Sequence, residues 1–88
     1  MQGVRRDYAA GERIATLRVD NGWSYRELSM QMLLLHPRDP RMHVSERTLR
    51  RIEEEGVVPT PRVQFALAAT FGLLPLQVWG RSHQGARR

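Results

Sequence analysis

Helix start and stop signals recur at short intervals and divide the chain into five segments. Ser24, Ser45 and Thr60 each precede apolar residues at helical spacing, and a hydroxyl at such a position can accept a hydrogen bond from a free amide of the first turn. Residues that tolerate a left-handed backbone end the helices; they are Asn21-Gly22, Gly56, Gly72 and Gly80. No convincing strand and no internal repeat accompanies this pattern. The sequence therefore predicts a compact all-α domain with five helices.

The apolar spacing also predicts which residues form the core. Helix 1 is expected from Ala9 to Val19, helix 2 from the Ser24 cap to about Leu34, and helix 5 from Leu76 to Trp79 after Pro75. Helix 4 follows Thr60, with Pro61 at its first position. The expected buried residues are Ala10, Ile14, Leu17, Leu28, Met32, one or more of Leu33 to Leu35, Leu49, Ile52, Val63, Ala66, Leu67, Ala68 and Phe71, with Trp23 in the core rather than in a ligand platform.

The segment Ser45–Glu53 combines an apolar underside with an arginine-rich outer face. Leu49 and Ile52 lie three residues apart and can anchor the helix. The arginines point largely away from that anchor; they are Arg47, Arg50 and Arg51. Such a helix can enter a DNA major groove, although an ordinary solvated helix has the same pattern. The acidic run Glu53 to Glu55 follows at the unfavourable end of the helix dipole, so we expect at least one of its carboxylates to have a cationic partner.

The charge balance favours a polyanionic partner. The net charge is +5, and all 14 basic residues are arginine. Arginine presents a planar fork that suits phosphate and guanine edges, although the codon preference of a GC-rich genome explains the same bias. Residues 36 to 51 contain five arginines and two acidic residues, a net charge of +3, whereas residues 53 to 55 carry −3. Positive charge is therefore concentrated around the arginine helix.

Several classes of protein are excluded or disfavoured. The chain has no cysteine, which excludes disulfides and thiolate metal sites, and it has no apolar run of the ~20 residues that a membrane span needs. The start of the chain does not resemble a signal peptide. His36, Asp39 and His43 lie in a proline-rich loop without a fourth ligand, so we expect a solvated loop and no metal. No catalytic cluster or phosphate-binding glycine loop is present. We expect a cytoplasmic protein that is not an enzyme and has no cofactor, small-molecule substrate or membrane partner.

The stretch from Gly11 to Trp79 resembles the helix-turn-helix domain of the lambda-repressor and Cro family, also called XRE-type domains. The matching residues are Arg18, Ser24, Leu28-Ser29, Val44-Ser45, Leu49, Ile52-Glu53, Gly56, Pro59, Phe65, Leu67, Ala68, Phe71 and Gly72-Leu73. Two departures stand out. An insertion of about ten residues replaces a short turn between helices 2 and 3, and Tyr25 occupies a position that is often glutamine in the family. The insertion could reposition helix 3, add a backbone contact to DNA, or mark a domain used for another purpose.

The resemblance implies roles for individual residues. Arg18 and Glu53 match a partly buried salt bridge between helices 1 and 3. Glu46, Arg47 and Arg51 match base-facing positions. The expected phosphate contacts are Ser24, Tyr25, Ser45, Thr48 and Arg50 from the helices, Arg38 and Arg41 from the loop, and Arg5 and Arg6 from the N-terminal arm.

These expectations define a domain organisation and a function. Residues 1–8 are predicted to be a flexible arm, 9–80 the helix-turn-helix domain with 36–43 as an inserted loop, and 81–88 a disordered basic tail. The resemblance implies sequence-specific binding of double-stranded DNA by a small repressor, of phage type or antitoxin-like, in a bacterial or phage-infected cell.

Partner proteins are also predicted. A homodimer is the usual arrangement for one recognition helix. Its candidate interface, for which core closure is the alternative role, comprises Leu74, Leu76, Val78 and Trp79. The alternative function is a protein-binding adaptor that has lost DNA readout and binds a host or regulatory protein.

Overall fold

The computed structural model describes residues 5–80 and contains five α-helices in that range. They are α1 (Tyr8–Asp20), α2 (Tyr25–Leu35), α3 (Glu46–Glu55), α4 (Pro61–Thr70) and α5 (Pro75–Trp79), with a short 3₁₀ helix at Pro40–Met42 between α2 and α3. The predicted all-α class is confirmed. No strand occurs among the described residues, although Arg6 and Val57 form an isolated β-bridge.

The predicted caps account for the helix boundaries. The Ser24 hydroxyl accepts a hydrogen bond from Glu27 N, and the Glu27 side chain accepts one from Ser24 N, which completes a capping box. The Ser45 and Thr60 hydroxyls cap α3 and α4 by accepting hydrogen bonds from Thr48 N and Val63 N, without a reciprocal side-chain bond. Gly56 ends α3 with a left-handed φ of 70°, a conformation that glycine adopts without a steric penalty.

One core joins all five helices. It consists of Ala10, Ile14, Leu28, Met32, Leu49, Ile52, Ala66, Leu67, Ala68, Val78 and Trp79. α3 packs most extensively against α1 and also against α2, while α4 packs against α2, α5 and the 3₁₀ helix. Trp23 lies at the edge of this core, with its ring centroid 5.6 Å from that of Phe71.

α1 and α3 approach each other closely at Gly11. A β-carbon at this position would lie 2.6 Å from the carbonyl oxygen of Ile52 and 2.8 Å from that of Glu53. Both atoms belong to the backbone of α3 and cannot rotate away. The absence of a side chain at Gly11 therefore sets the distance between the two helices.

Two expectations about burial in α1 and α2 are wrong, namely that one or more of Leu33 to Leu35 is buried and that Leu17 is buried. Leu33, Leu34 and Leu35 are all exposed. Leu33 and Leu34 lie on a different face of α2 from Leu28 and Met32. Leu35 lies in the last turn of α2, beside an open groove. Leu17 is half-buried and lines another open groove, between α1 and α5.

Expectations about burial in and just after α4 are also wrong. Val63 and Phe71 are half-buried rather than buried, because the packed face is centred on Ala66 to Ala68. Phe65, which the resemblance places in the apolar stripe, is 47% exposed. Its ring lies near the ring of His36, where the insertion begins.

The N-terminal segment is attached to the α3–α4 linker. Asp7 N donates to the carbonyl oxygen of Gly56 at 2.6 Å, and Val58 N donates to that of Arg5 at 3.3 Å. The Asp7 carboxylate also caps α1 by accepting a hydrogen bond from Ala10 N. Residues 5–7 are therefore not a free arm. The rest of the predicted arm (1–4) and the predicted tail (81–88) lie outside the described residues.

Candidate nucleic-acid interface

The outer face of α3 is a ridge of three exposed arginines. Arg47, Arg50 and Arg51 are spaced so that they share one helix face, opposite the buried Leu49 and Ile52. The Ser45 hydroxyl accepts from Thr48 N at 3.2 Å and fixes the first turn. We call these three residues the arginine ridge. Its position follows from local sequence signals, because the cap and the two apolar anchors determine which way the arginines point.

The members of the arginine ridge differ in their partners. Arg51 Nε lies 3.3 Å from Glu55 Oε1, and Arg50 Nε lies 3.9 Å from Glu54 Oε2. Within the described range, the side chains of Arg47 and Glu46 make neither an ion pair nor a hydrogen bond. The start of α3 therefore presents one free cation and one free anion, while the exposed charges of its later turns are paired; they are Arg50, Arg51, Glu54 and Glu55.

Tyr25 connects the start of α2 to the arginine ridge. The guanidinium carbon of Arg18 lies 4.2 Å from the centroid of the Tyr25 ring, and that of Arg50 lies 5.0 Å from it. The Tyr25 hydroxyl donates to Glu54 Oε2 at 3.1 Å. Two cations on one aromatic ring are favourable because the faces of the ring are electron-rich. Tyr25 thus orders a ridge arginine and its acidic neighbour together, while the nearby Ser24 hydroxyl is used in the capping box.

We expect Tyr25 to ionise above its usual pKa of about 10. Burial raises the pKa of Tyr25, and the charge of Glu53 and the hydrogen bond to Glu54 raise it further. A folded-state pKa above the unfolded value means that this contribution to stability is complete below the unfolded pKa and is lost as the pH rises through the folded one. Tyrosinate absorbance in a Tyr8→Phe background, where Tyr25 is the remaining tyrosine, measures this pKa. Adding Glu54→Gln should lower it, and an unchanged value would contradict the role of Glu54.

Arg18 and Glu53 form a bidentate salt bridge between α1 and α3. Arg18 Nε donates to Glu53 Oε2 at 2.7 Å and Arg18 Nη2 donates to Glu53 Oε1 at 3.0 Å. Arg18 Nη1 also donates to the carbonyl oxygen of Trp23. The two side chains are 15% and 3% exposed, and the hydrogen bond to Glu53 raises the pKa of Arg18. This pair supplies the cation expected for the acidic run.

The insertion places Asp39 and Arg41 beside α4. Asp39 lies 3.3 Å from Arg41 Nε and 3.9 Å from Arg62 Nη1, so one carboxylate joins the insertion to α4. Burial alone would raise the pKa of Asp39, but hydrogen bonds from the backbone and side chain of Arg41, with the charge of Arg62, hold it below its usual value. His43 contacts the carbonyl oxygen of His36 and closes the loop, and Arg38 is exposed. The described residues contain no group of three side chains that could hold a metal ion.

Some predicted site residues occupy other places. Arg6 donates to the carbonyl oxygen of Glu55 at 3.0 Å and lies near its carboxylate, at the end of α3, while Arg5 is exposed. Of the candidate dimer residues, Val78 and Trp79 belong to the core, which makes them unavailable to a partner. Leu74 and Leu76 are exposed.

Sequence reasoning missed other residues that position the site. Arg13 donates to the carbonyl oxygen of Val78 and ties α1 to α5. Gly11 sets the α1–α3 distance, and no local signal marks either role. Asp7 is different, because an aspartate just before a helix is a recognised cap.

Comparisons with known proteins give no family assignment. No protein-family model, no curated protein and no solved structure matches the chain. None of the helices described between residues 5 and 80 combines the length and apolar character that crossing a membrane requires.

Proposed function

We propose that this chain binds double-stranded DNA with sequence preference and regulates transcription as a small repressor, of phage type or antitoxin-like, in the cytoplasm of a bacterial or phage-infected cell. The arginine ridge carries the proposal: three exposed arginines on a capped helix whose opposite face is buried. A helix fits the major groove of B-DNA, and its first residues are the ones that reach base edges. The resemblance to lambda-repressor and Cro domains supports the same assignment.

The ridge arginines are assigned two kinds of contact. Arg47 is unpaired in the first turn of α3, so its guanidinium is available to the two acceptor atoms of a guanine. Arg51 is assigned a second base contact, and Glu46 accepts from a cytosine amine. Three further exposed cations are assigned to phosphates, where they make the affinity depend on salt; they are Arg50, Arg38 and Arg41. Ser45 and Thr48 lie at the start of the same helix and are assigned to phosphate.

Substitutions at two ridge positions should separate base reading from phosphate binding. Arg47→Ala is expected to remove about 1–3 kcal/mol of discrimination between a preferred and a random duplex, because a bidentate guanine contact is lost. Arg50→Ala should weaken both duplexes equally and reduce the slope of log affinity against log salt by about one. Each variant is the matched control for the other. Equal losses on both duplexes for both variants would contradict the assignment.

The test of the function itself is a salt-titrated binding assay. The full chain is measured against random duplex, against the DNA upstream of its own gene, and against duplexes selected from a random pool. A preferred sequence whose affinity falls steeply with salt supports a DNA-binding regulator. Equal and weak binding to all three would reject it.

A homodimer extends the proposal. One copy offers one recognition helix, and two copies related by a two-fold axis would place two such helices on a near-palindromic site. Leu74 and Leu76 are the exposed members of the predicted interface and are assigned to this contact.

A protein-binding adaptor is the second candidate function. Leu34, Leu35 and Phe65 are exposed apolar side chains on α2 and α4, and exposed apolar clusters are typical of protein contacts. This reading predicts weak duplex binding without sequence preference, so the same assay separates the two functions.

A further inference from the structure

The acidic end of α3 is placed against the arginine ridge rather than away from it. Glu54 and Glu55 each lie one turn after a ridge arginine, with N–O distances of 3.9 Å to Arg50 and 3.3 Å to Arg51. All four side chains are at least half exposed. Glu54 also accepts a hydrogen bond from Tyr25, and Glu55 lies 3.8 Å from Arg6 Nη1. Each carboxylate therefore has a second tether that keeps it near the ridge.

Helix stability does not explain these two carboxylates. Negative charges in the last turn of a helix oppose its dipole, and exposed ion pairs at this spacing contribute little. Glu53 already occupies the buried salt bridge with Arg18. An amide at position 54 or 55 would serve the structure equally well. The negative charge of Glu54 and Glu55 therefore needs another explanation.

We propose that Glu54 and Glu55 compete with DNA phosphate for Arg50 and Arg51 and so suppress binding to non-preferred duplex. This inference rests on the proposed DNA-binding function. On a random sequence, Arg50 and Arg51 bind phosphates alone, and each must leave its carboxylate, which then lies beside the polyanion. On a preferred sequence, Arg51 reads a guanine with its two Nη groups while Nε stays on Glu55. Arg50 binds phosphate on either sequence, so the penalty from Glu54 is common to both duplexes, whereas the penalty from Glu55 falls on phosphate-only binding.

The geometry of Arg51 permits this difference. Glu55 accepts from Arg51 Nε, which leaves both terminal nitrogens free. Two parallel N–H groups are what a guanine edge requires. A phosphate oxygen approaching the same guanidinium would bring a second anion close to Glu55, and like charges brought together in an interface are strongly unfavourable. Arg47 has no carboxylate partner, so no carboxylate competes for it in phosphate-only or in base-specific binding.

The test replaces both carboxylates with amides in the full chain. Glu54→Gln/Glu55→Gln should bind random duplex roughly tenfold more tightly at ~0.1 M salt, with a log–log salt slope steeper by about one to two. Affinity for a selected duplex should rise by less than about threefold, since base reading by Arg51 keeps Glu55 in place. Thermal unfolding should show a melting temperature equal to or above that of the unsubstituted chain.

The matched control changes net charge by the same amount elsewhere. Glu12→Gln/Asp20→Asn removes two exposed carboxylates from α1. An equal gain on random duplex in this control would overturn the proposal, because net charge alone would then explain the result. Unchanged or weaker random-duplex binding in Glu54→Gln/Glu55→Gln would also overturn it, and a loss confined to the selected duplex would show that the carboxylates orient the arginines instead.

Failure of the proposed function is distinguishable from failure of this inference. If selection yields no preferred duplex, sequence-specific regulation is rejected, yet the random-duplex comparison still measures competition between carboxylate and phosphate. If a preferred duplex exists and the amide variant behaves like the control, the inference alone fails. If neither protein binds any duplex at low salt, both are rejected.

Discussion

Gly11→Ala is expected to lower the free energy of unfolding by about 1–3 kcal/mol, the range of an overpacked core. In most helix interiors the same change stabilises a protein by roughly 0.5–1 kcal/mol, because glycine loses more backbone freedom on folding. Here the added methyl group would lie 2.6 Å and 2.8 Å from two carbonyl oxygens of α3. Relief requires that α1 and α3 move apart, which also disturbs the core around Ile14 and Ile52.

Urea denaturation followed by circular dichroism measures this loss. Thr16→Ala is the matched control, because it places the same side chain at an exposed position of the same helix and should change stability by less than about 0.5 kcal/mol. Equal stability of the Gly11→Ala variant and the unsubstituted chain would mean that the two helices do not meet at this distance.

Arg18→Met is expected to cost about 3–5 kcal/mol, because it leaves a buried carboxylate without its cation. The Glu53 side chain is 3% exposed, so water cannot replace the two hydrogen bonds that it loses. The carbonyl oxygen of Trp23 loses a donor as well. A domain of this size has a free energy of unfolding of roughly 5–15 kcal/mol. We therefore expect the melting temperature of the Arg18→Met variant to be strongly reduced.

A double substitution keeps this prediction testable even if Arg18→Met does not fold. Arg18→Met/Glu53→Leu removes both charges and should recover much of the loss, since apolar replacements of a buried pair are often neutral or stabilising. Glu55→Gln, which breaks an exposed pair on the same helix, should change the free energy of unfolding by less than about 1 kcal/mol in either direction. Similar losses for Arg18→Met and Glu55→Gln would show that burial does not strengthen the first pair.

The contact between α1 and α3 relates these changes in stability to the proposed function. α3 is held against α1 by the contact at Gly11 and by the Arg18–Glu53 pair, and it carries the arginine ridge on its opposite side. A variant that displaces α3 should therefore lose DNA binding together with stability. Arg47→Ala should lose selectivity while stability stays unchanged, because its side chain is exposed and unpaired.

Local sequence signals predict the helices, the caps of α2, α3 and α4, and the direction of the arginine ridge. Ser24, Ser45 and Thr60 act on amides within three residues of themselves, and Leu49 with Ile52 fixes which face of α3 is buried. These signals are local, because the capping side chain and the amide that it caps lie within one helical turn of the sequence. The resemblance added the one long-range pair, Arg18 with Glu53, which no periodicity reveals.

Which surfaces of the helices meet depends on contacts between segments that are distant in the sequence. Leu34 and Phe65 are apolar like core residues but lie outside the packed faces of α2 and α4. Val78 is buried in the core and is therefore not available to a dimer interface. Gly11 has no local signal, because its role is a contact with a helix some forty residues further along the chain. The second tethers of Glu54 and Glu55, through Tyr25 and Arg6, depend likewise on how the segments pack. The reason is physical: a capping bond is satisfied within one helical turn, but burial and charge pairing between distant segments depend on where the folded chain brings them.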